Sequence, residues 1–119
     1  MALFGIGQKH HGQRHFAASP ADTYAAVLSA TARDDSTFTQ KSHDDDAQRA
    51  ELVSKGSRLT YGDRFTTTVA SAKGGTMLKV EGAGATEFAA TSGSRMQKEF
   101  DQLFSEVYAE LRRDKKFIG

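Results

Sequence analysis

From Ser94 to Arg113 apolar residues recur at steps of four, three and one: Met96, Phe100, Leu103, Phe104, Val107, Tyr108 and Leu111. That spacing puts them on one face of a helix. Charged and polar residues occupy the remaining positions, so the face must be buried against another part of the chain. The partner is the middle third, where the period changes. Leu59, Tyr61, Phe65, Thr67 and Val69 share one parity and therefore one face of a strand. Burying a large side chain is worth roughly 1.5–3 kcal/mol. Seven of them together match the net stability of a whole domain, about 5–15 kcal/mol.

The remaining elements follow from local chemistry. Residues 1–13 are broken by glycine and read as a flexible arm, with Leu3, Phe4 and Ile6 as its apolar anchors; a first strand is predicted from Arg14 to Ala18. Ser19-Pro20-Ala21-Asp22 is a helix start, with a capping serine, a proline suited to the first helical position and an acid three residues after the cap. This first helix carries Tyr24, Val27, Leu28 and Thr31 on one face and ends near Ala32 or Arg33. Strands are predicted over 37–42, 48–55, 58–71 and 76–82. The turns between them are His43 to Asp46, Gly56-Ser57 and Lys73-Gly74-Gly75. Asp63 interrupts the apolar parity directly after Gly62, which predicts a bulge that turns the carboxylate to solvent. Ser94 and Gln97 form a capping-box pattern for the last helix, and Arg112, Arg113, Lys115 and Lys116 crowd its C-terminal end, where the helix dipole favours cations.

The expected fold class is α+β. An antiparallel sheet of four to five strands, in the order β-α-β-β-β-β-α, carries two helices on one face, the C-terminal one long. The domain spans residues 14–113, and 114–119 form a basic and apolar tail. At 119 residues the chain is one domain in size. Hydrophobic residues make up 38% but 17 of them are alanine, so the core is thin. A net charge of +1 gives no electrostatic drive toward nucleic acid. The absence of cysteine excludes disulfides and thiolate chemistry and suits a reducing compartment. No segment has the length of apolar sequence needed to span a bilayer. The expected location is cytoplasmic.

The stretch Phe16-Ala17-Ala18-Ser19-Pro20-Ala21-Asp22-Thr23-Tyr24-Ala25-Ala26-Val27-Leu28, with the element order, resembles the opening of START-like (helix-grip) domains. The resemblance implies a long terminal helix across a curved sheet, with a hydrophobic ligand cavity between them. Members have more strands than this chain has room for. A compact two-layer sandwich of the TATA-binding-protein half-fold type fits the same length, in fold only.

Candidate chemistry is sparse. His11 and His15 have metal-ligand spacing for a helix, with His10 beside them, but Gly12 intervenes and a solvated arm is expected. His43-Asp44-Asp45-Asp46 lacks the glycine and distal glutamate of a calcium loop. The glycines fit no phosphate loop and the serines no nucleophile elbow. No metal, cofactor or catalytic residue is assigned. An enzyme of the cyclase or hydrolase kind would rest on family analogy alone. The expected function is a non-catalytic module holding a small apolar ligand or lipid between the last helix and the sheet, with Leu59, Tyr61, Phe65, Val69, Phe100 and Phe104 as its lining. The alternative is an interaction protein. It would bind a protein partner, a second copy or the surface of an anionic membrane through its termini or a sheet edge.

Overall fold

The computed structural model describes residues 9–55, 63–83 and 92–118. Five strands and two helices follow one another as β1 (Lys9–Phe16), α1 (Pro20–Thr31), β2 (Phe38–Asp44), β3 (Arg49–Ser54), β4 (Arg64–Ala72), β5 (Gly75–Ala83) and α2 (Ser92–Arg113). The strands make one antiparallel sheet in the spatial order β1-β5-β4-β3-β2. This is the α+β arrangement expected from the sequence.

Alternation builds the inner face. Ala50, Leu52, Phe65, Thr67, Leu78 and Val80 point inward and are buried, while Arg49, Glu51 and Lys79 point outward. From α2, Met96, Phe100, Leu103, Phe104, Val107 and Leu111 complete the core with Phe16, Val27 and Phe38. Three aromatic rings link the layers edge to face: Phe38 on β2 to Phe65 on β4 at 5.3 Å, and Phe65 to Phe100 on α2 at 6.0 Å. Tyr108, the seventh residue of the helical stripe, is 49% exposed and lies at the rim.

The start of α1 forms as read. Ser19 is the N-cap and its Oγ accepts from Asp22 N at 3.0 Å, Pro20 opens the helix and Ala32 is the C-cap. The β2–β3 turn comes later than expected, since β2 runs on through His43 to Asp44. Asp44 Oδ1 then accepts from the amides of Asp46 and Ala47, the local side-chain-to-backbone bonding that suits aspartate to turns. Gln48 closes the turn at φ +52. Between β4 and β5, Gly75 is confined to glycine. Its φ is +156, and a Cβ there would meet Phe16 O at 2.1 Å.

Three expectations are corrected. The first strand begins at Lys9, not Arg14, so residues 9–13 belong to the sheet and not to a flexible arm. His10 to Gln13 pair with Gly82 to Lys79 of β5. Gly12 is there because Phe100 covers it and leaves no room for a side chain. Helix α2 begins at Ser92, so Ser94 lies inside it, and Gln97 Nε2 donates to Asp101 Oδ1 at 3.1 Å in place of closing a capping box. Asp63 is buried, not turned to solvent. Its N–H donates to Ser54 Oγ at 2.9 Å and its carbonyl accepts from Ser54 N at 2.9 Å, which holds it against the end of β3. Residues 114–118 are fastened down: Lys115 adopts φ +57, Lys116 N donates to Leu111 O at 2.9 Å, and Phe117 packs on the core. The Gly56-Ser57 turn, the N-terminal anchors and the residues Leu59 and Tyr61 lie outside the described residues.

Candidate functional site

The sequence-derived lining residues separate into two groups. Phe65 and Phe100 touch each other at the centre of the core. The space around them is occupied: a Cβ on Gly12 would lie 2.7 Å from Phe100 Cδ2, and one on Gly82 would lie 2.7 Å from Met96 Sδ and 3.1 Å from Phe65 Cδ1. Val69 is partly buried against the same core. Phe104, one helical turn beyond Phe100, is buried in the same core and backs a separate space at its edge.

That space is a groove of about 580 Å³ where β1 meets the C-terminal half of α2. Arg14, His15, Phe16 and Ala17 supply one side, Phe104, Ser105 and Tyr108 the other, and Phe117 reaches in from the C-terminal segment. Each part has a local cause. Phe104 and Tyr108 are four apart on α2, so both project toward β1. The left-handed residue Lys115 reverses the chain after α2. Phe117 then lies 5.1 Å from the ring of Tyr108, and Ile118 N donates to Ala17 O at 2.6 Å. The Phe16 ring sits 6.4 Å from that of Phe104. At the mouth, the Arg14 guanidinium lies 5.0 Å from the Phe104 ring centroid, within cation–π range. His15 Nε2 donates to Lys73 O at 2.9 Å, which fixes the ring.

A second recess, about 590 Å³, lies on the other face of the sheet among His11, Gln13, Arg49, Thr66, Thr68, Lys79 and Glu81. It is polar: His11 Nδ1 is 3.9 Å from Glu81 Oε2 and Arg49 Nη2 is 4.0 Å from Glu51 Oε2.

Two polar clusters brace the helices. Glu110 on α2 is buried and accepts from Arg33 Nε and Arg113 Nη1, and the Arg33 bond is the foremost cause holding its carboxyl below the ordinary range. One turn earlier, Glu106 accepts from Ser36 Oγ at 2.6 Å and Thr37 N at 3.0 Å. At the opposite end of α1, Tyr24 Oη donates to Asp45 Oδ1 at 2.6 Å, which also lies 2.8 Å from His43 Nδ1. Burial first, then this bond, pushes the Tyr24 phenol up to about 12. These contacts tie loops to helices. The histidines of β1 are apart. His11 and His15 lie four residues apart on a strand, roughly 13 Å, too far to share an ion. No group of three metal-ligating side chains forms among the described residues, and no described helix is long and apolar enough to cross a membrane.

Phe104 was legible in the sequence as a lining residue, whereas Phe16, Tyr108 and Phe117 were not expected as neighbours of one groove. The signal available for Tyr108 was its place in the stripe at the edge of the buried arc. Phe117 had none, because its position depends on the chain reversal at Lys115.

No protein-family model matches the chain, and neither does any curated protein. Solved structures do match in fold. Ara h 8.0201 is 12% identical with a TM-score of 0.65, over 89% of this chain and 98% of that one. Protein MLL2253 from Mesorhizobium loti is 13% identical with a TM-score of 0.59, over 89% and 98%. Aha1 from Colwellia psychrerythraea, solved as a dimer, is 12% identical with a TM-score of 0.56, over 82% and 92%. These likenesses fit the helix-grip, START-like fold and concern the fold alone.

Proposed function

We propose that this chain is a small non-catalytic binding module whose apolar ligand lies between the C-terminal helix and the sheet, in the groove at Phe104. The observation that carries the reading is a recess of about 580 Å³ between β1 and α2, floored by the buried rings of Phe16 and Phe104 and edged by the accessible rings of Tyr108 and Phe117. That volume is within the range of small-molecule sites, roughly 300–1,000 Å³. The helix-grip fold supports the reading as analogy. Phe65 and Phe100 back the groove by fixing the depth at which α2 sits, and Val69 is partly buried against the same core.

Isothermal titration of the full chain with an uncharged aromatic probe, 2-naphthalenemethanol, tests this. Saturable binding that weakens in Phe117→Ala, a variant that stays folded with a stability loss of about 1–2 kcal/mol, is the expected result. No heat and no change in the NMR signals of Tyr108 and Phe117 would reject it.

A second reading has its own observation. Ile118 is 60% exposed beside Lys115 and Lys116, a basic and apolar tip suited to a protein partner, a second copy or an anionic membrane surface. Salt-sensitive flotation with phosphatidylserine vesicles, lost in Ile118→Ser, would favour it.

A further inference from the structure

Resting on the groove as the ligand site, we infer that its ligand is a monomeric carboxylic acid with an aromatic or short apolar body, and that Arg14 receives the carboxylate. Arg14 pairs in register with Leu78, which places it on the sheet face that α2 covers. Its guanidinium lies over the ring of Phe104, and its side chain is 53% exposed at the groove mouth. Phe104 is itself only 2% exposed, so the cation stands at the mouth of a groove whose exposed aromatic surface, the one a ligand body would cover, is Tyr108 at 49%.

The charge of Arg14 is only loosely answered by its neighbour. Asp101 Oδ1 is 3.7 Å from Nη2, well beyond the roughly 2.7–2.9 Å of a charge-assisted hydrogen bond. That same oxygen accepts from Gln97 Nε2 at 3.1 Å. An incoming carboxylate can take the guanidinium fork with two parallel hydrogen bonds, while Asp101 keeps its bond to Gln97. The polar trough on the opposite sheet face offers no such combination, since it lacks an aromatic wall. A recess walled on three sides suits one small molecule more than the flat surface of a bilayer.

The experiment compares 2-naphthoic acid with 2-naphthalenemethanol, by titration calorimetry of the full chain at low and moderate salt. The acid is expected to bind about tenfold more tightly than the alcohol. Arg14→Gln removes that preference, weakening the acid about tenfold more than it weakens the alcohol. Arg14→Lys keeps the charge without the fork and retains part of the preference. Asp101→Asn, which removes the competing carboxylate, tightens the acid and not the alcohol. Equal binding of acid and alcohol by the unaltered protein overturns the assignment while leaving the groove as an apolar site. An acid preference that survives Arg14→Gln also overturns it. Binding of neither probe removes the groove reading itself. Salt-sensitive binding to phosphatidylserine vesicles without binding of the monomeric acid would assign Arg14 to a membrane surface and overturn the proposal as well.

Discussion

Gly12 on β1 lies directly under the ring of Phe100 on α2, so close that a Cβ at position 12 would stand 2.7 Å from Phe100 Cδ2. This approach sets the distance between helix and sheet at the centre of the molecule. Overpacking of a filled core costs about 1–3 kcal/mol. Gly12→Ala is therefore expected to lower stability by that amount in urea or thermal melts. Combining it with Phe100→Leu should recover part of the loss, because the shorter side chain vacates the contested space. Additive losses in the double variant would show that the two residues do not share it.

Acid should loosen the bond between α1 and α2. The arginines around Glu110 hold its carboxyl below its ordinary value of 4.5. A depressed folded value means the contribution is fully present above the unfolded value and is lost as pH falls through the folded one. The melting temperature of the unaltered protein should fall below about pH 4.5, and that of Glu110→Gln should fall less steeply. At neutral pH the substitution is expected to cost on the order of 1–2 kcal/mol, because both guanidiniums are half exposed and remain solvated.

Alkali should act on Tyr24. Its phenol is raised from 10.0 to about 12, and for a group that is charged when deprotonated this favours the folded state below pH 10. That contribution disappears as pH climbs from 10 toward 12. Tyr24→Phe is expected to lose about 1 kcal/mol at neutral pH through the missing bond to Asp45. Ultraviolet titration near 295 nm should give the unaltered chain and Tyr24→Phe the same rise around pH 10, with the unaltered chain gaining one further phenolate only toward pH 12; a larger rise around pH 10 in the unaltered chain would contradict the bond.

Removal of residues 94–119 takes away the six buried apolar side chains of α2, from Met96 to Leu111. At roughly 1.5–3 kcal/mol each, their loss is as large as what a domain of this size retains as net stability. The shortened chain is expected to show no cooperative melt by circular dichroism. A sharp transition would mean that the sheet and α1 hold a core of their own.

Removal of residues 114–119 alone is a milder change. Phe117 is partly buried on the core and Ile118 is bonded to Ala17 through its amide. The fold should persist, with a loss of about 1–2 kcal/mol and weaker binding of an aromatic probe in the groove.

Much of the architecture was legible because its signals are local. The cap at Ser19, the alternation of Ala50 and Leu52, and the Asp44 turn each depend on residues within four positions of one another. The readings that failed involve partners far apart in the chain. Gly12 looked like a breaker because the ring that excludes a side chain there is Phe100, on the last helix. Asp63 looked like a solvent-facing bulge because Ser54, which holds its backbone, belongs to the preceding strand.

The order of residues alone determined which faces would be apolar, where α1 starts and that α2 must grip a sheet, because a helix or strand presents its side chains at a fixed period. Tertiary structure alone decided that Arg14, Phe16, Phe104, Tyr108 and Phe117 meet in one groove. The strand register of β1 against β5 and the left-handed turn at Lys115 bring them together, and no spacing along the chain encodes a distance across the interface of two layers.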